Sequence, residues 1–325
     1  MNETVELANN LRVTEWDKFV GQKRVKSALL MAIESARIRN APMEHVLLYG
    51  PPGLGKTTLA GLIAKSMNSS IRVTSGPALE RSGDLASILS GLQEGDILFV
   101  DEIHRLNKTI EEMLYPAMED YALDVVMGKG PAARTLRLEL PKFTLIGATT
   151  KIGMIASPLR DRFGVVHHLE YYEPEELAVI VNNASNVLSV ELLEEAALEI
   201  AKRARLTARV ALMLLRRVRD FAVVKGVQKV GKKEAIEALS MLSIDDLGLN
   251  EQDRKLLLAV IEKHDGGPVG LETLAALMND DVGTISDVYE PFLMRLGLLK
   301  RTSRGRMVTR FAYSHLGLKT PQPQS

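Results

Sequence analysis

His45-Val46-Leu47-Leu48-Tyr49, then Gly50-Pro51-Pro52-Gly53-Leu54-Gly55-Lys56-Thr57, is the stretch that decides the fold. A short apolar run meets a Gly/Pro turn, and a helix-forming stretch from Lys56 to Met67 follows. Such a run, bounded by a turn, reads as a strand buried on both faces. Between strand and helix, the spacing G-x-x-x-x-G-K-[ST] is the phosphate-loop pattern. Its glycines let backbone N–H groups turn inward around phosphate oxygens, and the helix that follows presents its N-terminal dipole to the anion. In that pattern Lys56 reaches the β- and γ-phosphates of a nucleotide and the Thr57 hydroxyl ligates Mg²⁺. A Gly-rich turn without a ligand is the plain alternative, and the strand–loop–helix context argues against it.

The same alternation continues outward. A helix over Arg24–Arg39 precedes the loop, and beyond it come a strand at Ile71–Thr74 and a helix at Gly83–Glu94. Next are a strand at Ile97–Val100, a helix at Lys108–Asp120, and strands at Phe143–Gly147 and Val165–Leu169. Strands alternating with helices imply a parallel sheet covered on both faces. From Pro174 on the reading is helical, over 174–187, 191–205, 207–225 and 232–241. Asp245-Asp246-Leu247-Gly248 reads as a linker. Helices over 251–264, 271–278 and 282–296 follow, then strands at 298–301 and 306–309 around Ser303-Arg304-Gly305. Three helices and a two-stranded ribbon make a winged helix. The expected division is therefore a sheet domain over 1–170, a helical domain over 171–247, a winged helix over 248–318 and a disordered tail over 319–325.

Composition narrows the function. The 325 residues carry 41 Lys+Arg against 41 Asp+Glu, which argues against a protein that grips nucleic acid by bulk charge. Seven Phe, seven Tyr and one Trp make a base-stacking platform an unfavoured way to hold single strands. The absence of Cys excludes disulfides, thiolate metal sites and Cys nucleophiles, and it fits a reducing cytoplasm. No apolar run approaches the roughly 18–20 residues of a membrane span, and MNETVELANN has no signal-peptide apolar region. The expected location is cytoplasmic.

Two carboxylates, Asp101 and Glu102, emerge from the end of the apolar Ile97–Val100 run. Ligands of open α/β sheets sit at that edge. Asp101 suits the hydrated Mg²⁺ opposite Thr57, and Glu102 suits an attacking water, which points to hydrolysis rather than binding alone. Gly147-Ala148-Thr149-Thr150 brings a hydroxyl to the same edge, with a helix N-cap as the alternative. Arg160 and Arg162 near the domain boundary read equally as an arginine finger in trans or as structural ion pairing. Between Arg295 and Arg310 there are Arg295, Lys300, Arg301, Arg304, Arg306 and Arg310 and no acidic residue. On a wing, that charge suits sequence-independent contact with DNA phosphates. A second basic run, Lys202 to Arg219, reads as subunit contact or phosphate sensing.

The series Gly50–Thr57, Leu98–Glu102, Gly147–Thr150 and Pro158–Gly164 resembles the AAA+ ATPases. Finer blocks resemble the bacterial Holliday-junction branch-migration motors of that family: Gly50–Thr58, Thr74-Ser75-Gly76-Pro77, Asp101–Leu106, Gly267–Leu271 and Arg304-Gly305-Arg306. This covers residues 11–318. It implies an α/β P-loop NTPase domain with a parallel sheet, an all-α lid and a C-terminal winged-helix domain. It implies ATP and Mg²⁺ as ligands, with Leu11, Arg12, Val20, Gly21 and Tyr172 around the adenine. Gly53, Gly55, Lys56, Thr57 and Thr58 hold phosphates, Thr57 and Asp101 the metal, and Glu119, Asp120 and Tyr121 also touch nucleotide. Thr150 is sensor 1, Arg162 the finger reaching a neighbouring subunit and Arg209 sensor 2. Arg301, Arg304 and Arg306 touch DNA at four-way junctions. The same resemblance implies that the segment 123–140 docks on a junction-binding partner protein, that a resolvase completes the assembly, and that the ring is a hexamer.

The sequence departs from the family at Val13, Lys151 and Ser303, and at Leu206 and Ala208, where the family has Gly and Pro. Those last two changes favour helix by roughly 1 and 3 kcal/mol. If those sites are helical, the changes would fuse the helices flanking the turn and move Arg209; nucleotide is expected still to bind, with lid motion and hence turnover altered. The alternative functional class is an initiator- or loader-type AAA+ switch with a winged helix; a chaperone-like remodeller lacks its aromatic pore loop here.

Overall fold

The computed structural model describes the backbone of residues 11–127 and 134–319, and the side chains of all of these except 125–127, 134 and 135. The side chains of Val125 and Val126, the Gly128–Pro131 tip and the tail beyond Lys319 lie outside the described residues. The chain divides into two compact units, residues through Val187 with Thr207–Leu212, and Leu188–Leu206 with residues from Met213 on.

In the first unit, strands β1 (Val46–Tyr49), β2 (Ile71–Ser75) and β3 (Ile97–Asp101) precede a hairpin of β4 (Ala122–Met127) and β5 (Arg134–Glu139). Strands β6 (Thr144–Thr149) and β7 (Val165–His168) follow. The sheet runs β2-β3-β6-β1-β7 with every pairing parallel. Leu47, Leu98, Val100 and Leu145 are fully buried, as strands covered on both faces require. Parallel register has one consequence for function: Tyr49 pairs with Thr149 and Val100 with Gly147, so the strand ends leading into Gly50, Glu102 and Thr150 share one edge.

Helices α1 (Lys23–Ile38), α2 (Lys56–Met67), α3 (Ser82–Ser90), α4 (Lys108–Glu119), α5 (Ser157–Arg160) and α6 (Pro174–Val187) complete the unit. Helix α3 does not continue to Glu94 as its pattern predicts. Gly91 caps it, and Asp96 then accepts the Gln93 N–H at 2.8 Å and turns the chain into β3. In the hairpin Leu123 opposes Leu138, and Asp124 opposes Arg137.

The second unit holds α7 (Glu194–Lys202), most of α8 (Ala208–Lys225) and α9 (Lys232–Met241). The predicted helix over 191–205 is shorter, because Glu191-Leu192 instead pairs as β8 with β9 (Lys229–Val230). The predicted fusion across 203–207 does not occur. Helix α7 ends at Lys202, and Arg205 and Leu206 take left-handed φ of 51° and 58°. Specific anchors outweigh propensity here: Arg203 donates to the Asp245 carbonyl at 3.0 Å, and Arg205 pairs with the fully buried Asp253 and lies over the Phe292 ring. At the start of α8, Thr207 Oγ1 accepts the Val210 N–H at 3.4 Å, so Ala208 occupies the first helical position, which proline tolerates.

The winged helix follows with α10 (Glu251–His264), α11 (Leu271–Met278) and α12 (Val282–Thr284). The helix predicted over 282–296 is present and unbroken from Val282 to Arg295, with α12 passing through a wide π turn over Ile285–Tyr289 into α13 (Glu290–Arg295). Pro291 has no N–H for an i→i−4 bond, and a wider turn accommodates that loss. Strands β10 (Leu299–Thr302) and β11 (Gly305–Val308) form the antiparallel wing, and α14 (Arg310–His315) closes it over a core that includes Leu257, Leu274, Leu293 and Leu298.

Candidate functional site

Between β1 and α2 the loop folds around its own lysine. Lys56 is buried and donates to the carbonyls of Gly50 and Pro51 at 2.8 and 2.9 Å. Burial draws its pKa below the ordinary lysine range; Glu102 and Asp101 pull it back up, and Arg209 adds to the lowering. The phosphate-loop lysine, both carboxylates and Arg209 thus share one electrostatic neighbourhood, although the sequence separates Lys56 from Arg209 by a whole domain. Gly53 has φ 83°, and a Cβ there would lie 2.9 Å from the Arg209 Cβ. The Arg209 N–H also donates to the Gly53 carbonyl at 3.3 Å, so the start of α8 seats directly on the loop. Thr57 and Thr58 stand half-buried at the first turn of α2, where backbone N–H groups lack intrahelical partners.

Of the residues expected around the adenine, Gly21 and Tyr172 meet beside the loop. Tyr172 is buried and donates to the Leu54 carbonyl at 3.2 Å, and its ring packs on Gly21. Burial raises its pKa, Glu176 adds to the rise and a bond with Gln22 opposes it, so the hydroxyl stays a donor. Gln22 and the Glu170 backbone bond reciprocally at 2.6 and 3.1 Å, which fixes the segment carrying Val20 and Gly21 against the segment carrying Tyr172. Leu11 is half-buried and Arg12 exposed. Sequence reasoning missed Gln22 and also Phe19, whose ring lies against Gly55; neither position has a motif spacing of its own.

At the end of β3, Glu102 adopts φ 49° and its carboxylate accepts the Thr150 hydroxyl at 3.1 Å. The acid and the hydroxyl singled out at neighbouring strand ends are thus in direct contact. The chemistry fits a hydrated divalent cation with a nucleoside triphosphate: a lysine, hydroxyls and carboxylates gather where the loop leads into a helix N-terminus.

Glu119, Asp120 and Tyr121 do not join this cluster. They lie where α4 ends, and His45 Nε2 bonds the Met118 carbonyl there at 3.0 Å. Tyr121 packs on the rings of His45 and Phe143. His45 precedes β1 and Gly50 follows it, so about 16 Å of extended chain separates the two edges. Arg162 belongs to the far edge as well. Its Nη2 meets Glu119 Oε1 at 3.0 Å, and its guanidinium lies 4.4 Å from the Tyr115 ring centroid. Glu119, Asp120, Tyr121 and Arg162 thus gather apart from Lys56, Asp101, Glu102 and Thr150 within the chain. Asp120 pairs with Arg137 at 2.6 Å.

On the wing, Arg301 donates to Glu290 Oε2 at 2.7 Å, and Arg306 grips both oxygens of the same carboxylate. Glu290 is buried, and the Arg306 side chain is 13% exposed. Arg304 stands exposed at the turn with Lys300 and Arg310 exposed nearby. The basic run has no acid of its own; its acid arrives from α13, beyond the reach of a local charge count. In the other basic run, Arg203 pairs with Glu199, Arg205 with Asp253, and Arg217 and Arg219 with Asp220.

Comparison with known proteins agrees with this architecture. Residues 11–169 match the family model of the Holliday junction DNA helicase RuvB P-loop domain. Residues 172–245 match the RuvB AAA lid domain, and 246–317 match the RuvB C-terminal winged-helix domain. Among solved structures, the Thermotoga maritima RuvB Holliday junction branch migration motor is 46% identical, covers 96% of this chain and 100% of its own, and superposes with a TM-score of 0.87. An alanine-to-serine variant of the same protein gives 46% identity, coverage of 96% and 99%, and a TM-score of 0.88.

Proposed function

Because the chain belongs to the RuvB family of Holliday junction branch-migration motors, we propose that it hydrolyses ATP to move four-way DNA junctions in recombination and repair. The observation that carries the reading is the cluster at one sheet edge, where Thr150 donates to Glu102 while Lys56 lies in the field of Glu102, Asp101 and Arg209. Lys56, the loop N–H groups from Gly53 to Thr58 and Arg209 bind the phosphates. Thr57 and Asp101 hold Mg²⁺, which when bound neutralises charge developing on the phosphate oxygens. Glu102 orients and polarises the attacking water, with Thr150 fixing the carboxylate. Val20, Gly21 and Tyr172 flank the adenine, with Leu11 and Arg12 beside it.

Arg162 works in the neighbour. Its place at the edge opposite its own loop, together with Glu119, Asp120 and Tyr121, suits contact with a nucleotide held by an adjacent subunit. Such a reading requires a ring, which we take to be a hexamer. Residues 1–170, 171–247 and 248–318 then serve as motor, lid and DNA-binding domains. Arg304 contacts duplex phosphates, Arg301 can swing to them from Glu290, and Arg306 braces the wing. The hairpin over 123–140 presents Leu136 and Leu138, 47% and 37% exposed, to the junction-binding partner RuvA, with the resolvase RuvC joining the complex. Among the described residues no helix is long and apolar enough to cross a membrane, and we place the activity in the cytoplasm. The test is ATP turnover with and without four-way-junction DNA. Stimulation in the wild type and its loss in Lys56→Ala are expected, and a chain that turns over no ATP with the junction present contradicts the proposal.

A further inference from the structure

Glu102 is restrained from every side. Its left-handed backbone costs a non-glycine residue about 1–2 kcal/mol, yet its N–H is held by Asp101 Oδ1 at 3.0 Å. Behind it lies Gly76, the glycine of Thr74-Ser75-Gly76-Pro77. Gly76 is buried so close that a Cβ would overlap the Glu102 carbonyl oxygen. Two side chains approach one oxygen of the carboxylate. Thr150 donates to Oε2, and His104 Nδ1 lies 3.3 Å from that same oxygen. His104 Nδ1 also stands 2.9 Å from the hydroxyl oxygen of Thr149, a residue fully buried at the end of β6. That hydroxyl oxygen already accepts the Lys151 N–H at 2.9 Å.

The ring of His104 is nearly enclosed, with its side chain 5% exposed. Burial lowers its pKa, Glu102 opposes the shift, and Lys151 and Arg105 reinforce it. A neutral imidazole has a single N–H, so its location matters. With the proton on Nε2, Nδ1 accepts the Thr149 hydroxyl proton, and its lone pair also faces the Glu102 carboxylate, which is repulsive. With the proton on Nδ1, the ring donates to Thr149 and sets the positive edge of that N–H 3.3 Å from Glu102 Oε2.

We propose that His104 is a positioning residue for hydrolysis: as the Nδ1–H tautomer it joins Thr150 in fixing Oε2 of Glu102, which leaves Oε1 to face the attacking water. The inference rests on the proposed role of Glu102. It also ties that carboxylate, through Thr149, to the end of the strand that carries Thr150. The arrangement is a second-layer restraint of the kind that sets how well a catalytic carboxylate is aimed.

The test compares full-length wild type with His104→Ala, His104→Asn and His104→Gln, measuring ATPase kcat and KM, binding of a fluorescent ATP analogue, and the imidazole tautomer by nitrogen NMR. The amide nitrogen of Asn can take the place of Nδ1, whereas that of Gln falls near Nε2. His104→Ala should lower kcat about 10–100-fold with KM and analogue binding within about twofold. His104→Asn should recover to within about fivefold of wild type, and His104→Gln should not. An unchanged kcat in His104→Ala, equal activity of the Asn and Gln variants, or an Nε2–H tautomer overturns the proposal. If His104→Ala fails to fold, the Asn and Gln pair decides. Glu102→Gln separates the two layers. If it leaves kcat intact, the reading of Glu102 fails; if it abolishes turnover while His104→Ala does not, only the role of His104 fails.

Discussion

Arg162 makes different predictions through its contacts within the chain and through its proposed reach into a neighbour. Within the chain it pairs with Glu119 at 3.0 Å, donates to the Pro158 carbonyl at 2.5 Å and lies over Tyr115. Its side chain is 22% exposed and that of Glu119 55%, so solvent screens the pair to about 0.5 kcal/mol. The contact with the ring adds about 0.5–1 kcal/mol. Arg162→Ala should therefore cost about 1–2 kcal/mol of stability and leave nucleotide binding unchanged, since Lys56 and its loop lie at the opposite sheet edge. As a finger in trans, the same substitution should slow ATP turnover by about 10³-fold, a barrier increase of about 4 kcal/mol. The decisive assay mixes Lys56→Ala and Arg162→Ala chains, each inactive alone, in equal amounts. A productive site then needs an intact Lys56 in one chain and an intact Arg162 in its neighbour, so about a quarter of wild-type turnover should return. If the mixture assembles and stays inactive, or if Arg162→Ala alone keeps wild-type turnover, the trans assignment is wrong.

Restoring Leu206→Gly and Ala208→Pro together should stabilise the protein by about 1–2 kcal/mol in urea unfolding, because Leu206 sits at positive φ and Ala208 at a helix start. The two substitutions should leave Arg209 in place, and a loss of stability would show that the turn is built differently. On DNA, Arg304→Ala should weaken binding across all sequences and reduce the salt slope of binding by about 1. Arg306→Ala should instead cost about 1.5–3 kcal/mol of winged-helix stability, since it removes the main partner of a buried carboxylate; an unchanged melting curve refutes the bracing role. Glu290 supplies a pH test. Burial pushes its pKa up, but the bonds from Arg306 and Arg301 outweigh this and hold it below its ordinary 4.5. Its contribution is thus present above pH 4.5 and lost as the pH falls through the depressed folded value. The stability gap between wild type and Glu290→Gln should close on acidification, and a gap that is constant with pH contradicts the ion-pair account.

Local pattern carried much of this molecule. The apolar runs before Gly50 and Asp101 are legible as buried strands, and parallel order then brings Lys56, Asp101, Glu102 and Thr150 to one edge. What escaped local reading depends on groups distant in sequence. Arg306 looks like a free cation until Glu290 arrives from a helix, and no local pattern ties the end of α4 to His45 at the edge opposite Gly50. The turn at Leu206 runs against helix propensity because Arg205 is committed to Asp253 and Arg203 to Asp245. His104 lies inside the Asp101–Leu106 block, yet its contact with Thr149 joins residues 45 apart in the sequence.

The central claim is that ATP consumption at Lys56 drives movement of a four-way junction. It is tested most directly by following strand exchange in a synthetic junction with homologous arms, with RuvA supplied, for wild type and Lys56→Ala. The account predicts ATP-dependent exchange in the wild type and none in the variant. Exchange by Lys56→Ala, or a wild type that hydrolyses ATP and leaves the junction in place, would contradict it.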